Sequence, residues 1–357
     1  MDDKKIVFTG GPCAGKTTLI EKTKEYLIKK GYKVIVVPET ATILLKSGIN
    51  PKLLADITVF QNFILQFQLF DEQLAQSVAT LKSDEKFVIL YDRGVLDNKA
   101  YFDNTKNFDL ILNKANIDEI EVLDKYDMVF DLITTADCAP EKYTLLTNDQ
   151  RIESLEEAKT LDKKTSNAWA GHRNMKIINS DISIDEAFEM IKKEIDNLLK
   201  GQIKKTINKI KIFNSLEDFG QYNDSNSRLI KTQTITLDKK NNNFKYVLYK
   251  RMYKGENSYI FKVYKEENNV ETIYYDKKIN FEYYLELISK YKIENIDFYE
   301  ELTFIKNRQE YRIKFYEDKS ILEYEENKLN KEFLLPENVK TAPSKSLEKK
   351  KKHDNID

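Results

Sequence analysis

The stretch Gly10-Gly11-Pro12-Cys13-Ala14-Gly15-Lys16-Thr17-Thr18 constrains this chain more than any other feature. It fits G-x-x-x-x-G-K-[ST] at Gly10, Gly15, Lys16 and Thr17, directly after the apolar run Ile6-Val7-Phe8 and directly before a helical pattern from Lys16 to Lys30. Strand, glycine turn and helix in that order make a phosphate cradle. The glycines let backbone N–H groups turn inward, and the helix N-terminus adds a favourable dipole. In such a loop the lysine reaches the β- and γ-phosphates, and the next hydroxyl binds Mg²⁺. The expected ligand is a nucleoside triphosphate, ATP or GTP, with Mg²⁺. The competing reading is a chance glycine turn, and the flanking strand and helix argue against it.

The pattern around the loop fixes a fold class. Val34–Val37, Phe87–Leu90 and Met128–Phe130 are short apolar runs and Lys176-Ile177-Ile178 looks like a further strand, all alternating with helical patterns. One of these patterns is Phe60 to Leu81, with Phe60, Ile64, Phe67, Leu74, Val78 and Leu81 at helical spacing. Another begins at Ser183 with a capping box completed by Glu186. Apolar strands alternating with helices predict an α/β domain, a P-loop kinase-like parallel sheet with helices on both faces.

The character changes near Gly201. From Ile207 to Asn327 the chain runs through eight alternating strand patterns rich in Tyr, Phe, Ile and Lys, interrupted by one helix at Phe281–Tyr291. This predicts an antiparallel β-barrel. The expected organisation is a nucleotide-binding domain at 1–203, a barrel at 204–338 and a disordered basic tail at 339–357 ending in Lys349–Lys352.

Composition excludes several classes. Charged residues are 33% of the 357, yet the net charge is −1, so bulk attraction to nucleic acid is not expected and no sequence-specific nucleic-acid partner is indicated. Two cysteines, Cys13 and Cys138, form no disulfide framework. Met1–Lys5 runs into the first strand without a signal peptide, and no apolar run is long enough to span a bilayer. A cytoplasmic protein is expected, with peripheral membrane contact left open.

Asp92 and Arg93 end the apolar strand Phe87–Leu90. A carboxylate there is placed to hold Mg²⁺ together with Thr17, and the planar fork of Arg93 suits a phosphate. The alternative is a surface ion pair at a strand end. Glu39, after Pro38 at the end of the second strand, faces an acceptor in small-molecule kinases, where it binds or deprotonates a hydroxyl; a solvated loop carboxylate is the competing reading. Gln61, Asn62 and Gln66 sit among Phe60, Phe63 and Phe67, either as a substrate pocket or simply as part of an amphipathic core helix. Arg151 precedes a helical pattern at Ser154–Trp169 and suits a lid closing over the transferring phosphate. His172 reads as a helix-end or packing residue rather than a catalyst.

In the second half Lys250, Arg251, Lys262, Arg308, Arg312 and Lys314 are read as strand residues, and Glu323 and Glu325 alternate on the last strand. Side chains two apart share a face. Inward cations would make a polyanion site, with the carboxylates holding the arginines or a divalent metal. A solvated charged face is the equal alternative.

The strings Thr9–Thr18, Val37-Pro38-Glu39-Thr40-Ala41-Thr42-Ile43-Leu44, Phe60-Gln61-Asn62-Phe63 and Asp92-Arg93-Gly94 with Asp97 resemble one P-loop family. Leu161-Asp162, Ala168-Trp169 and Gly171-His172 extend the likeness. It is the NadR/TRPL-translocation-defect type of AAA-like ATP/GTP-binding domain, related to nucleoside and nucleotide kinases. Tyr249-Lys250-Arg251, Ser258-Tyr259-Ile260 and Glu323 are similar to the CYTH, or triphosphate-tunnel, barrel of that family. The resemblance implies ATP or GTP binding in the first domain and phosphoinositide binding in the second. No Glu-x-Glu-x-Lys opens the barrel and no Asn-Lys-x-Asp specifies guanine, since Asn113-Lys114-Ala115 is followed by Asn116. Two functions remain open at this point. One is transfer of a γ-phosphoryl group to a small nucleoside-like acceptor or to water. The other is a slow GTP/ATP-dependent switch that binds phosphoinositides or phosphatidic acid.

Overall fold

The computed structural model describes residues 3–54, 56–82, 84–102, 105–135, 155–222, 227–238, 244–268, 270–325 and 339–341. The first domain is built on a five-stranded sheet of order β2-β3-β1-β4-β5. Its strands are β1 Lys4–Thr9, β2 Lys33–Val37, β3 Phe87–Asp92, β4 Met128–Leu132 and β5 Met175–Ile178. Every neighbouring pair is parallel. Alternate side chains feed opposite faces. Ile6 and Phe8 meet α1 (Lys16–Lys29) and α7 (Ile184–Lys200) through Leu19, Leu27, Ile191 and Ile195. Val7, Ile89 and Tyr91 meet Leu65, Ala75 and Ala79 of α3 (Ile57–Leu81), along with Leu123 and Trp169. Burial on both faces is why the central strands β1, β3 and β4 are apolar along most of their length. The capping box of α7 is present: Glu186 N donates to Ser183 Oγ at 3.2 Å, and Ser183 N donates to Glu186 Oε2 at 2.9 Å.

Helices α2 (Thr40–Lys46), α4 (Thr105–Lys114), α5 (Glu119–Lys125) and α6 (Leu155–Ala168) complete this domain among the described residues. The second domain is a closed barrel, β10-β6-β13-β12-β11-β7-β8-β9. Its eight strands are β6 Ile203–Ile212, β7 Ser227–Asp238, β8 Lys245–Tyr253, β9 Glu256–Glu267, β10 Val270–Ile279, β11 Lys292–Lys306, β12 Gln309–Phe315 and β13 Ser320–Glu325. One helix, α8 (Phe281–Lys290), covers the outer residues Ile235, Leu248 and Phe261. All eight strand patterns of the sequence are therefore strands. Arg308 is the exception to its predicted placement. It lies in the tight turn between β11 and β12, where Asn307 and Arg308 both take positive φ, 49° and 61°. Of the C-terminal segment, Val339 packs on the barrel core, and Phe213 N donates to Lys340 O at 2.9 Å. The Lys349–Lys352 run lies outside the described residues.

The two domains are bound by buried charge. Arg228 of β7 donates to Glu119 of α5 at 2.7 Å and to Ala168 O, at the end of α6, at 3.0 Å. It also donates to Ala170 O. Arg251 pairs with Asp124 and donates to Gly171 O at 2.9 Å. Arg312 donates to His172 O at 2.8 Å, and Arg173 pairs with Asp276 at 2.9 Å. Gly171 sits at φ +89°, a left-handed turn that lets its N–H reach Glu310 Oε1 at 2.8 Å.

Candidate functional site

The loop after β1 is held from behind. A Cβ on Gly10, at φ +128°, would stand 1.9 Å from Leu132 O, so the close approach of loop to β4 requires glycine. Asp162 of α6 takes Gly11 N at 2.7 Å and Thr134 N at 3.1 Å on one carboxylate oxygen. Thr134 Oγ1 donates to Pro12 O, and Thr135 Oγ1 donates to Cys13 O at 3.3 Å. Lys16 Nζ bridges Gly10 O at 3.1 Å and Gly11 O at 2.8 Å. Burial and the neighbouring Arg93 charge push Lys16 down to about 8. An arriving phosphate opposes both effects, because it gives the ammonium a counter-charge.

Facing the loop, the end of β3 supplies Asp92 and Arg93. Thr17 Oγ1 lies 3.5 Å from Asp92 Oδ2. Asp92 Oδ1 is buried without a hydrogen-bond partner among the described residues. Burial raises the Asp92 carboxyl in spite of Lys16. A hydroxyl and an under-partnered carboxylate, side by side at the first turn of α1, are hard oxygen donors. They fit Mg²⁺, which binds through one or two carboxylates plus phosphate and water.

Arg93 sits in a strained left-handed conformation, φ 72°. It is held by Phe8 O, which accepts from its N–H at 3.0 Å, and by Gln68 Nε2, which donates to its carbonyl at 3.3 Å. Its guanidinium donates to Glu39 Oε1 at 2.6 Å and to Asp97 Oδ1 at 3.5 Å. Asp97 is fixed by Gly94 N at 2.7 Å and by the Thr9 hydroxyl. Burial would raise Glu39, but Arg93 and Lys16 outweigh it and hold the carboxyl at about 2. Lys16, Thr17, Asp92, Arg93 and Glu39 are thus brought together. Arg151 lies outside the described residues.

Helix α3 carries two distinct faces. Gln61 and Gln68 point inward, and Gln61 Oε1 is buried without a partner among the described residues. Gln66 is exposed on the outer face and lines a shallow groove with Leu44, Ile49, Phe63, Phe67 and Phe70.

His172 is a packing residue. Its Nδ1 accepts Asn174 N at 3.1 Å, so the proton resides on Nε2, 3.0 Å from Tyr126 O. Burial and the neighbouring Arg173 push its pKa well below the usual value.

Behind the loop sits a pair the motif reading missed. Asp131, at the end of β4, and Asp162 are both buried, and Asp131 Oδ2 accepts the Ser166 hydroxyl. Burial, then Asp162, drives the Asp131 carboxyl upward. The two N–H donors on Asp162 favour its charged form, so the shared proton belongs on Asp131. Asp162 appears in the sequence only as one letter of the family resemblance, without a role.

The barrel interior holds a charged cavity, called the tunnel below. Arg251, Lys262, Arg312, Lys314, Glu323 and Glu325 line it, together with Lys205, Glu271 and Glu301. Lys250 does not: on β8 it lies between the lining residues Tyr249 and Arg251, and the period of two turns it to the other face. Arg308 does not either, since it leaves the strands at the β11–β12 turn and acts on Asp131 of the first domain. The lining cations are matched by carboxylates: Lys262 with Glu271 at 2.6 Å, Lys314 with Glu323 at 2.6 Å and Arg312 with Glu310 at 2.7 Å. Lys205 is different. It donates to Arg173 O, and burial together with Lys176, Arg312 and Lys262 pushes it to about 8 against the pull of Glu325. Gly171 and Arg173 of the first domain complete the lining.

Residues 5–186 match the profile of a family described as AAA domain. A thymidylate kinase of Caldicellulosiruptor saccharolyticus is 25% identical over 209 residues, covering 56% of this chain and 99% of that protein. A thymidylate kinase of Thermosipho melanesiensis is 23% identical over 199 residues, covering 54% of this chain and 98% of that protein. Among solved structures, a conserved hypothetical protein of Pyrococcus furiosus aligns with a TM-score of 0.27 at 19% identity, covering 34% of this chain and 78% of that one.

Proposed function

The chain belongs to that AAA domain family, and from this premise we propose that it transfers the γ-phosphoryl group of Mg-ATP or Mg-GTP to a small nucleoside-like acceptor. The observation that carries the reading is Asp92 Oδ1, a buried carboxylate oxygen without a partner among the described residues, beside the Thr17 hydroxyl and across from the phosphate loop. The similarity to two thymidylate kinases supports a nucleotide or nucleoside as acceptor.

The residues divide the work. The N–H groups of Cys13 to Gly15 and the N-terminus of α1 hold the β-phosphate, and Lys16 and Arg93 neutralise charge that develops on the transferring group. Thr17 and Asp92 would hold Mg²⁺, which would supply positive charge to offset that of the phosphates. Glu39, held at about 2 by Arg93, is a weak base. Its role is to accept a hydrogen bond from the acceptor and to keep the Arg93 fork aimed at the reacting phosphate. Gln61, on the inner face of α3, offers an amide to the acceptor.

In this reading the barrel binds a phosphorylated ligand, an inositol phosphate or phosphoinositide head group. Lys205 supports it, because an anion in the tunnel offsets the burial and cationic crowding that lower its pKa. A nucleotide-dependent switch is the second reading. It is favoured by α6, which touches Gly11 through Asp162 and the barrel cations through Ala168.

The test is incubation of the full chain with γ-labelled ATP or GTP and a panel of nucleosides and nucleoside monophosphates. Label on one acceptor, lost in Lys16→Ala, supports the kinase. Tight nucleotide binding with neither transfer nor hydrolysis leaves the switch. Undiminished nucleotide affinity in Lys16→Ala refutes both.

A further inference from the structure

Lys205 lies on β6 with its side chain turned into the tunnel, as does Ile207 two residues on. Glutamates flank it on both sides. Glu271 of β10 is its cross-strand neighbour, and Glu325 of β13 lies opposite Ile207. Both carboxylates are already claimed. Glu271 pairs with Lys262 at 2.6 Å, and Glu325 pairs with Lys176 of β5. The Lys205 ammonium has one acceptor among the described residues, Arg173 O, and no carboxylate of its own. A buried lysine without a counter-charge sheds its proton, because burial and like charge both disfavour the ammonium. Burial leads here, and Lys176, Arg312 and Lys262 add to it against the pull of Glu325, so the amine titrates at about 8. The uncharged form is a nucleophile.

The surroundings select the electrophile. The cavity beside the amine holds about 130 Å³, several times the roughly 30 Å³ share of one water, so a molecule of three heavy atoms fits. The cations around Lys205 favour a product that is an anion. Carbon dioxide meets both conditions. The nitrogen lone pair forms an N–C bond, one C–O π pair moves onto oxygen, and one N–H proton leaves to solvent. The product is a carbamate, and nothing is oxidised or reduced. Its remaining N–H still donates to Arg173 O. Lys16 is the contrasting case. Its amine is also held at about 8, but apart from Arg93 the charges around it are the carboxylates of Asp92, Glu39 and Asp97. A new anion at Lys16 meets like charge, and a new anion at Lys205 meets opposite charge.

We propose that Lys205 takes up carbon dioxide as a carbamate, an anion set among the charges of Lys176, Arg312 and Lys262 that competes with a phosphorylated ligand for the tunnel. The affinity of the tunnel for polyanions then falls as carbon dioxide rises. The competition rests on the polyanion reading of the barrel; the addition to Lys205 does not, and neither depends on which reaction the loop performs.

Carbon-13 NMR of the full chain, equilibrated with carbon-13-labelled bicarbonate near the Lys205 midpoint of about 8, tests the addition. The α-amino group of the chain titrates in the same range and gives a carbamate of its own as internal control. Wild type should show a second carbamate signal, lost in Lys205→Gln and kept in Lys204→Gln, whose side chain is exposed outside the barrel. Alkylation of wild type with a trialkyloxonium salt, followed by peptide mass mapping, should place the carbamate ester on Lys205, and this reads the site even where Lys205→Gln does not fold. Inositol hexakisphosphate is the probe for competition. At fixed pH and ionic strength, bicarbonate in place of chloride should raise its dissociation constant at least about tenfold in wild type, as like charge in the tunnel opposes it, and should leave Lys205→Gln unchanged. An α-amino signal alone, a second signal that survives in Lys205→Gln, or an ester on Lys16 in place of Lys205 overturns the proposal. So does a hexakisphosphate affinity indifferent to bicarbonate while the carbamate is present. A wild type that forms the carbamate and binds no inositol hexakisphosphate supports the addition and removes the polyanion reading of the tunnel.

Discussion

Arg228 makes the sharpest stability prediction, because it is buried between the domains and donates three hydrogen bonds to groups of the first one. Arg228→Met keeps an aliphatic stem of similar reach and removes every donor. Two buried carbonyls, Ala168 O and Ala170 O, lose that donor, at about 1–3 kcal/mol each. Glu119 is not abandoned: Lys99 at 2.9 Å and Lys254 at 3.0 Å remain on it. The expected loss is therefore about 3–5 kcal/mol, the range for breaking one partner out of a buried charge cluster. Against a usual total of about 5–15 kcal/mol that is a large fraction. The single tryptophan reports on it directly. Trp169 is fully buried next to Ala168 and Ala170, edge-on to Tyr126 with ring centroids 5.4 Å apart. Urea unfolding followed by Trp169 emission should show a lower midpoint and a red-shifted native baseline, as the junction admits water. A midpoint within about 1 kcal/mol of wild type with unchanged emission would show that Arg228 does not hold the domains together.

Two further outcomes follow from buried charge. The Asp131 carboxyl is raised by burial and by Asp162. The folded state therefore keeps a proton that the unfolded state gives up near pH 4, and the stability tied to it is full below that pH and falls as pH rises towards the raised value. Asp131→Asn should then gain on wild type steadily from about pH 5 to pH 8 in urea melts, and a gap that does not change with pH would refute the assignment. In the tunnel, Lys205 titrates at about 8, so inositol hexakisphosphate binding near that pH should take up a proton. Calorimetry in buffers of different ionisation enthalpy should show the uptake in wild type and not in Lys205→Gln, and equal uptake in both would remove Lys205 from the site.

What was legible in the sequence, and what was not, divides along sequence distance. The loop, the capping box at Ser183 and the eight barrel strands are set by short-range rules, glycine φ, side-chain oxygen caps and a period of two, which a single window of residues displays. The same period of two sorts Lys262, Arg312 and Lys314 inward and, applied at Tyr249, turns Lys250 outward. Arg308 escaped because a two-residue turn with positive φ at Asn307 and Arg308 carries no glycine to mark it. Asp162 and Arg228 escaped for a different reason. Their partners lie 151 and 109 residues away, and nothing near Asp162 or Arg228 in the chain distinguishes them from exposed charges. Short helices such as α2 and α5 have too few turns to display a helical period.

The same long-range contacts connect the two candidate sites. Asp162 and Ala168 are six residues apart on one helix, about 9 Å along its axis. Midway along, the helix accepts the loop N–H of Gly11 through Asp162, and at its C-terminal end its last carbonyl accepts Arg228. The following turn offers Gly171 O to Arg251 and His172 O to Arg312, which line the tunnel. A helix with its backbone bonds intact moves as a body, so a nucleotide that draws Gly11 towards its phosphates loads the carbonyls that anchor the tunnel arginines. Linkage then sets the reverse effect without further assumption: whatever factor a nucleotide imposes on tunnel affinity, a tunnel ligand imposes on nucleotide affinity. The magnitude is bounded by the contacts that differ between states. Two to three charge-assisted hydrogen bonds, at about 1.5–3 kcal/mol each when fully lost, leave ample room for the 1–3 kcal/mol typical of such coupling. A phosphotransferase and a switch are therefore not separated by this architecture. They differ in whether Glu39 and Gln61 present an acceptor to the phosphate faster than α6 relays the presence of the nucleotide to the barrel.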